Sequence, residues 1–223
     1  MRKFPKQIGV GGLVLSQHEK DLVNEVLDSG QLTYGPKSKQ FERAFAESHD
    51  CQHALFMNSG TSALHVGLAA LKSMHGWKDG DEVIVPAVTF VATANVVIHN
   101  NLTPVFVDVD SETYNLDPSK IEAKITNRTR AIIPVHLLGL PASMDPILDI
   151  AARYNLEVME DSAETMFARY KGRAVGSMGA VGCFSTYVAH FLVTGVGGFA
   201  TTNNPDLAIK MRSMMNHGRD GIY

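Results

Sequence analysis

The sequence is poor in several features that mark particular classes of protein. Its 223 residues include two cysteines, Cys51 and Cys183, so one disulfide at most can form, and the reducing cytoplasm is the expected location. Lysine and arginine number 20 against 23 aspartate and glutamate, a balance that gives no electrostatic footprint for nucleic acid or an anionic membrane. No window approaches the roughly 20 apolar residues of a membrane span. No apolar segment of the signal-peptide kind comes after Met1–Pro5.

Three local patterns suggest chemistry that their surroundings do not support. The segment His49-Asp-Cys-Gln-His53 has metal-ligand residues, but it spans an expected helix end and strand start, so we expect no metal site. The segment Gly195–Ala200 matches a loose dinucleotide fingerprint, but the polar run after it leads into a strand rather than a helix. Cys183 lies within an apolar run and is expected to be a small buried hydrophobe.

The sequence is rich, by contrast, in regularly alternating strand and helix patterns. With 45% hydrophobic and 19% charged residues, the chain can bury a full core. Strands are predicted at 54–57, 82–86, 104–108, 131–136, 156–161, 181–186 and 198–202, and helices at 16–29, 37–48, 60–71, 90–99, 118–125, 146–154 and 206–215. This order predicts an α/β fold with a mostly parallel sheet covered by helices on both faces. The last two strands are consecutive, which predicts one antiparallel strand.

Two segments at predicted strand ends carry candidate binding residues. Asn58-Ser-Gly-Thr61 lies at a strand-to-helix junction, where glycine and free amides can hold a phosphate, although a simple helix cap explains it about as well. Asp161 ends an apolar strand, the edge at which open α/β sheets place ligands. It could hold a pyridinium proton or could cap the next turn. His190, in a loop between two strands, could be a general base or an ordinary satisfied histidine.

In combination, these segments resemble the DegT/AHBA-synthase family of fold-type-I, pyridoxal-phosphate-dependent sugar enzymes. The resemblance extends from about Leu32 to Gly218. It is carried by LTYGP at 32–36, NSGTSAL at 58–64, GDEVIVP at 80–86, TFVATA at 89–94, PVFVD at 104–108, VHLLG at 135–139, ED at 160–161 and the segment 172–185. It implies the large cofactor-binding domain of that fold over residues 1–223, with an N-terminal helical segment.

The resemblance also assigns roles to individual residues. It implies that Gly60, Thr61 and Ser185 bind the cofactor phosphate. Phe90 is expected to stack on the pyridine ring, which suits a flat apolar side chain. Asp161 is expected to pair with the ring nitrogen.

Three departures from the family pattern affect the expected chemistry. His190 stands where family members with transaminase activity carry the lysine that binds the cofactor covalently, and imidazole cannot form that bond. Glu164, placed among the cofactor contacts, replaces the usual glutamine, and Val196 replaces a glutamate. A histidine-bearing branch of the family comprises sugar 3-dehydratases that act on nucleotide-linked 4-keto-6-deoxyhexoses. Because Gly221-Ile-Tyr223 stands where the iron–sulfur type has cysteines, the resemblance favours the GDP-linked type.

The resemblance therefore implies a dehydratase with noncovalent pyridoxal or pyridoxamine phosphate, His190 as base and glutamate as amino donor. Two alternatives stay open: an aminotransferase whose lysine was lost or deliberately mutated, and a noncatalytic subunit of the same fold. Family members form their sites at a dimer interface, so a homodimer is expected. Their C-terminal part is considerably longer than that of this chain, so we expect the C-terminal small domain to be absent from it.

Overall fold

The computed structural model describes residues 12–219 and shows an α/β sandwich. The helices are α1 Gln17–Ser29, α2 Pro36–Ser48, α3 Gly60–His75, α4 Val91–His99, α5 Met144–Tyr154 and α6 Pro205–Met215. The strands are β1 His53–Met57, β2 Glu82–Pro86, β3 Thr103–Val107, β4 Thr129–Ile132, β5 Glu157–Asp161, β6 Arg169–Tyr170, β7 Arg173–Ala174, β8 Val181–Ser185 and β9 Gly198–Thr202. Met1–Pro5 and Gly221–Tyr223, which bear on the sequence interpretation, lie outside the described residues.

Seven of the strands form one sheet in the order β1-β9-β8-β5-β4-β2-β3. All neighbours pair in parallel except β9, which runs antiparallel to both β1 and β8. The predicted mostly parallel sheet and its single antiparallel strand are therefore confirmed.

Helices cover both faces of this sheet, as predicted. Along β2, Val83 and Val85 belong to a core cluster shared with α3, α4 and α6, whereas Ile84 between them belongs to the opposite cluster, shared with α2 and α5. Successive side chains of a strand point to opposite faces, so a strand buried on both sides needs this continuous apolar run. The predicted inner face of α3, with Leu64 and Leu68, is fully buried.

The topology brings the candidate residues to one edge of the sheet. Six strands share a direction and end at this edge, and β9, which runs the opposite way, begins there. Asp161 ends β5, Ser185 ends β8 and the segment 58–61 follows β1, so all three lie at this edge. The carboxyl ends of the strands are where open α/β folds bind ligands.

Two predicted elements were wrong in type or extent. The segment 118–125 forms two 3₁₀ turns, Pro118–Lys120 and Glu122–Lys124, and not a helix. It is only two turns long and Ile121 is its one buried residue, so packing does not sustain an α-helix. The strand predicted at 131–136 is β4, which ends at Ile132, because Pro134 has no N–H for a continuing ladder. The β6–β7 hairpin was not predicted.

The first helix forms as predicted but does not pack as its sequence suggests. Ser16 and Glu19 form the expected capping box, and Gly30 ends α1 in the left-handed conformation. No residue of α1 is buried, and Val23 and Leu27 on its apolar face are exposed. Within residues 12–219, no helix has the length and apolar character needed to cross a membrane.

Candidate active site

The first part of the site is the beginning of α3. Ser59 is the N-cap, in extended conformation, and its hydroxyl accepts the Ser62 N–H at 3.0 Å. The Ser59 carbonyl accepts the Ala63 N–H. The amides of Gly60 and Thr61 are therefore the ones that the helix itself leaves unsatisfied. Together with the positive end of the helix dipole, they suit an anion.

Ser185, the last residue of β8, lies directly against this helix start. A Cβ atom built on Gly60 would come within 2.7 Å of the Ser185 Cβ, so only glycine allows the approach. Gly198 of β9 fits as closely, since a Cβ there would lie 2.5 Å from the Gly60 nitrogen. The sheet therefore places Gly60, and Thr61 next to it in the chain, beside Ser185.

Asp161 lies one strand away from this anion site. It ends β5 in register with Cys183 of β8, so Ser185 is two residues further along the neighbouring strand, a Cα separation of about 8 Å from strand geometry. The Asp161 side chain is 3% exposed. Its carboxylate accepts bonds from the Thr93 hydroxyl at 2.7 Å and the Ala163 N–H at 3.2 Å. Burial raises the pKa of Asp161, and these two hydrogen bonds oppose the rise.

Phe90 is the N-cap residue of α4 and is 68% exposed. Thr93, which contacts Asp161, lies in the first turn of the same helix. The exposed ring and the hydroxyl that bonds Asp161 thus belong to one helical turn, an arrangement that fits a flat ligand covering the ring with a polar atom at the carboxylate.

Glu164 holds a strained loop beside Asp161. Its Oε2 accepts the Leu138 N–H at 3.0 Å, and the hydroxyl of Thr165 accepts the Gly139 N–H at 3.0 Å. Leu138 is held at a φ of 51°, in the left-handed region, with its side chain 83% exposed. Such a conformation persists only where surrounding contacts impose it. The structure therefore shows a loop contact for Glu164 that the sequence did not predict.

His190 is half-buried in the loop between β8 and β9. Its backbone N–H donates to the Tyr187 carbonyl at 2.9 Å. Burial lowers the pKa of His190, while the charges of Glu164 and Asp161 act in the opposite direction. The fold thus places the imidazole within electrostatic range of both carboxylates and favours its neutral form, the form that can accept a proton.

A buried network around Glu160, which sequence reasoning missed, lies on the face of the sheet opposite the Asp161 side chain. Glu160 is completely buried, and its carboxylate accepts the N–H groups of Gly176, Met178 and Gly179 at 2.6–2.8 Å and bonds the His136 Nε2 at 3.0 Å. Because the His136 Nδ1 accepts the Ala142 N–H, the imidazole carries its proton on Nε2 and donates it to Glu160. In the sequence, Glu160 stands out only as part of a motif, and no local signal shows the partners it finds across the fold.

Residues 14–222 match the model of the DegT/DnrJ/EryC1/StrS aminotransferase family. The chain belongs to this family. Over 221 residues, which are 99% of the chain, it is 46% identical to the GDP-perosamine synthase of Caulobacter vibrioides. The match covers 58% of that relative, and the spore coat polysaccharide biosynthesis protein SpsC of Bacillus subtilis is covered to 52%, so the chain spans about half the length of such relatives.

Solved structures of the family share this fold. An aminotransferase from Psychrobacter cryohalolentis superposes with a TM-score of 0.88 at 43% identity, over 92% of this chain and 52% of the other. A GDP-4-keto-6-deoxymannose-3-dehydratase, described with a trapped PLP–glutamate adduct, superposes with a TM-score of 0.90 at 30% identity, over 95% of this chain and 55% of the other. The fold is that of the fold-type-I enzymes, as predicted.

Pyridoxal phosphate is the cofactor of this family, and the residues present fit it. The unsatisfied amides at the start of α3, with Ser185 packed directly against Gly60, form an anion cradle that fits the cofactor phosphate. A cationic ring nitrogen at the buried Asp161 carboxylate would offset the cost of burying that charge. In residues 12–219, no group of three or more His, Cys, Asp or Glu side chains could hold a metal ion. His49 instead stacks on Phe45 and accepts the Phe167 N–H.

Proposed function

We propose that this chain forms the cofactor-binding domain of an enzyme that removes the C3 hydroxyl from a nucleotide-linked 4-keto-6-deoxyhexose, with pyridoxal or pyridoxamine phosphate bound noncovalently. The observation that carries this proposal is His190, at the position where lysine-bearing relatives hold the cofactor covalently. An imidazole in the same place can transfer protons, but it cannot form the covalent bond by which lysine holds the cofactor in aminotransferases.

In this proposal, Gly60, Thr61 and Ser185 bind the phosphate, Phe90 covers one face of the ring, and Asp161 binds the ring nitrogen. The bound cofactor supplies an electron sink that makes a proton on a neighbouring carbon acidic. Because no covalent bond to the protein is available, these contacts alone must hold and orient it.

His190 is the proposed base. Its burial favours a neutral imidazole, so a ring nitrogen can take a proton from carbon at neutral pH. The same nitrogen, once protonated, can donate to the departing C3 oxygen. The negative charges of Glu164 and Asp161 stabilise the protonated imidazole during that second step. Glu164 also keeps the Leu138 loop against the site through its carboxylate.

A GDP-linked sugar is the proposed substrate class. The names of both the Caulobacter relative and the superposed dehydratase specify a GDP-linked sugar. Glu164 within the Glu-Asp-x-x-Glu pattern also resembles the GDP-type dehydratase. We propose glutamate as the donor that regenerates the amine form of the cofactor, in keeping with the PLP–glutamate adduct described for that dehydratase.

A second candidate is an aminotransferase that has lost its lysine. The 46% identity to GDP-perosamine synthase favours it, because that value exceeds the 30% identity to the dehydratase. A noncatalytic subunit is a third candidate, for which Val196 is the main support. The joint presence of Asp161, Thr61, Ser185 and Phe90 argues against it, since a silent site has no physical need for all four.

We also propose that the site is completed in a homodimer. Several large apolar side chains are exposed in the loops and helix starts near the candidate site, and exposing so many of them to water is unfavourable. They include Val88, Phe90, Val91, Leu138 and Phe191. A second copy that covers them would also exclude water from the reaction.

The test uses the full-length protein with pyridoxal phosphate, glutamate and GDP-4-keto-6-deoxymannose, and then mass analysis of the sugar. We expect loss of the C3 oxygen without gain of nitrogen. His190→Asn, which puts a smaller polar side chain without a basic nitrogen in its place, should lower the rate at least about 100-fold. His75→Asn, at the far end of α3, is the matched control and should leave it unchanged. A product that keeps its oxygen and gains an amine would overturn the proposal in favour of the aminotransferase.

A further inference from the structure

Thr93 is a completely buried hydroxyl that contacts the carboxylate at the centre of the proposed site. It lies in the first turn of α4 and donates to the Asp161 Oδ2 at 2.7 Å. The proposed mechanism gives it no role, and in the sequence it stands out only as part of the TFVATA segment at 89–94.

The hydrogen bonds around Thr93 form a directed chain. Its Oγ1 lies 2.7 Å from the Oγ1 of Thr89, which is half-buried. A hydroxyl has one proton to donate, and that of Thr93 goes to Asp161. Thr89 is therefore the donor to Thr93, and the two hydroxyls polarise each other toward the carboxylate. The chain runs from the loop between β2 and α4 to the buried Asp161 carboxylate.

Asp161 depends on this chain because few other groups stabilise its charge. Besides Thr93, only the Ala163 N–H is found to donate to its carboxylate within the described residues. The titratable side chains that face it are those of His136, Glu164, His190 and Cys183, with Glu160 next to it along β5. His136 and His190 offer partial compensation, whereas the carboxylates and the thiol disfavour a further negative charge. The start of α4 adds its dipole, since Thr93 lies in the first turn.

We propose that Thr93 is a positioning residue that keeps the Asp161 carboxylate ionised and aimed at the cofactor ring nitrogen, with Thr89 as the second link of the chain. The inference rests on the proposed cofactor site. It gives α4 a combined role, because the first turn that carries Phe90 for one face of the ring also carries the hydroxyl that orients the nitrogen partner. Ring stacking and nitrogen contact are then set by a single rigid element.

The test compares Thr93→Val, which keeps the shape but removes the hydroxyl, with Thr93→Ser, which keeps the hydroxyl. The matched control is Thr129→Val, because Thr129 is equally buried and bonds the carboxylate of Glu82 at the opposite end of the sheet. The first readout is the carboxyl carbon NMR signal of Asp161 against pH in the cofactor-free full-length protein. The second is the affinity for pyridoxal phosphate, measured by its absorbance.

We expect Thr93→Val to raise the pKa of Asp161 and to weaken cofactor binding about tenfold, the effect of losing one hydrogen bond to a charged group. Thr93→Ser should restore both values to those of the wild type, and Thr129→Val should change neither. Unchanged Asp161 titration in Thr93→Val would overturn the inference, and so would an equal change in Thr129→Val. If the wild type binds no pyridoxal phosphate, the proposed function fails, and the NMR titration still decides whether Thr93 controls Asp161.

Discussion

Replacing Glu160 by glutamine tests whether the buried hydrogen-bond network around Glu160 depends on the carboxylate or only on the volume of the side chain. Glutamate and glutamine have nearly the same volume, so the change leaves packing intact. The carboxylate presents two oxygens to four N–H groups, whereas the amide presents one oxygen and one NH₂ group. The oxygen can keep the bonds to Met178 and Gly179, whose amides share Oε1.

The NH₂ group then faces two donors, the Gly176 N–H and the His136 Nε2–H, in place of Oε2. His136 cannot move its proton to the other nitrogen, because its Nδ1 already accepts the Ala142 N–H. Two buried donors lose their acceptor, at about 1–3 kcal/mol each. We therefore expect Glu160→Gln to lower the free energy of unfolding by about 4 kcal/mol.

Urea unfolding of the full-length protein, monitored by circular dichroism, measures this difference, with an unchanged slope as evidence that the native surface is unaltered. Glu47→Gln is the matched control. Glu47 is exposed and its carboxylate lies 3.9 Å from the Arg43 Nε, so its replacement should cost less than about 0.5 kcal/mol. A Glu160→Gln protein within about 1 kcal/mol of the wild type would refute the donor count behind this expectation.

Three further changes have defined outcomes. Gly60→Ala places a Cβ 2.7 Å from that of Ser185 and should weaken pyridoxal phosphate binding at least about tenfold in a fluorescence titration. Leu138→Gly relieves a φ of 51° and should be neutral or stabilise the protein by up to about 1 kcal/mol, whereas Leu140→Gly, at a φ of −100°, should destabilise it in the same unfolding assay. Burial lowers the pKa of His49, so the stability that the neutral imidazole allows should be lost progressively as the pH falls below about 6.5, and His49→Gln should reduce that loss in the same unfolding assay.

The fold was largely predictable because it depends on local pattern. A short, β-branched apolar run such as 83–85 favours a strand buried on both sides, and the capping box at Ser16 marks a helix start by itself. Prediction was wrong where tertiary packing decides, as at 118–125, where a helical composition forms 3₁₀ turns around one buried isoleucine.

The site was predictable only as far as its residues carry recognisable motifs. Asp161, Gly60 and Ser185 lie at strand ends, and the parallel sheet brings strand ends together whatever lies between them. The contacts of Thr93 and Glu160 were not predicted, although both residues lie in recognised segments, because their partners come from distant parts of the chain. A threonine in a helix or a glutamate in a strand has no local sign of such a partner.

The position of β9 has a consequence for how the protein folds. This strand lies between β1 and β8, so the first strand of the sheet has no neighbour until the last one has been synthesised and inserted. Contacts so distant in sequence form slowly, because a long loop must close before they are made. Gly198, the first residue of β9, also packs on the helix start that forms the phosphate cradle. Assembly of the cradle therefore coincides with completion of the sheet, and the gain of cofactor affinity should mark the final stage of folding.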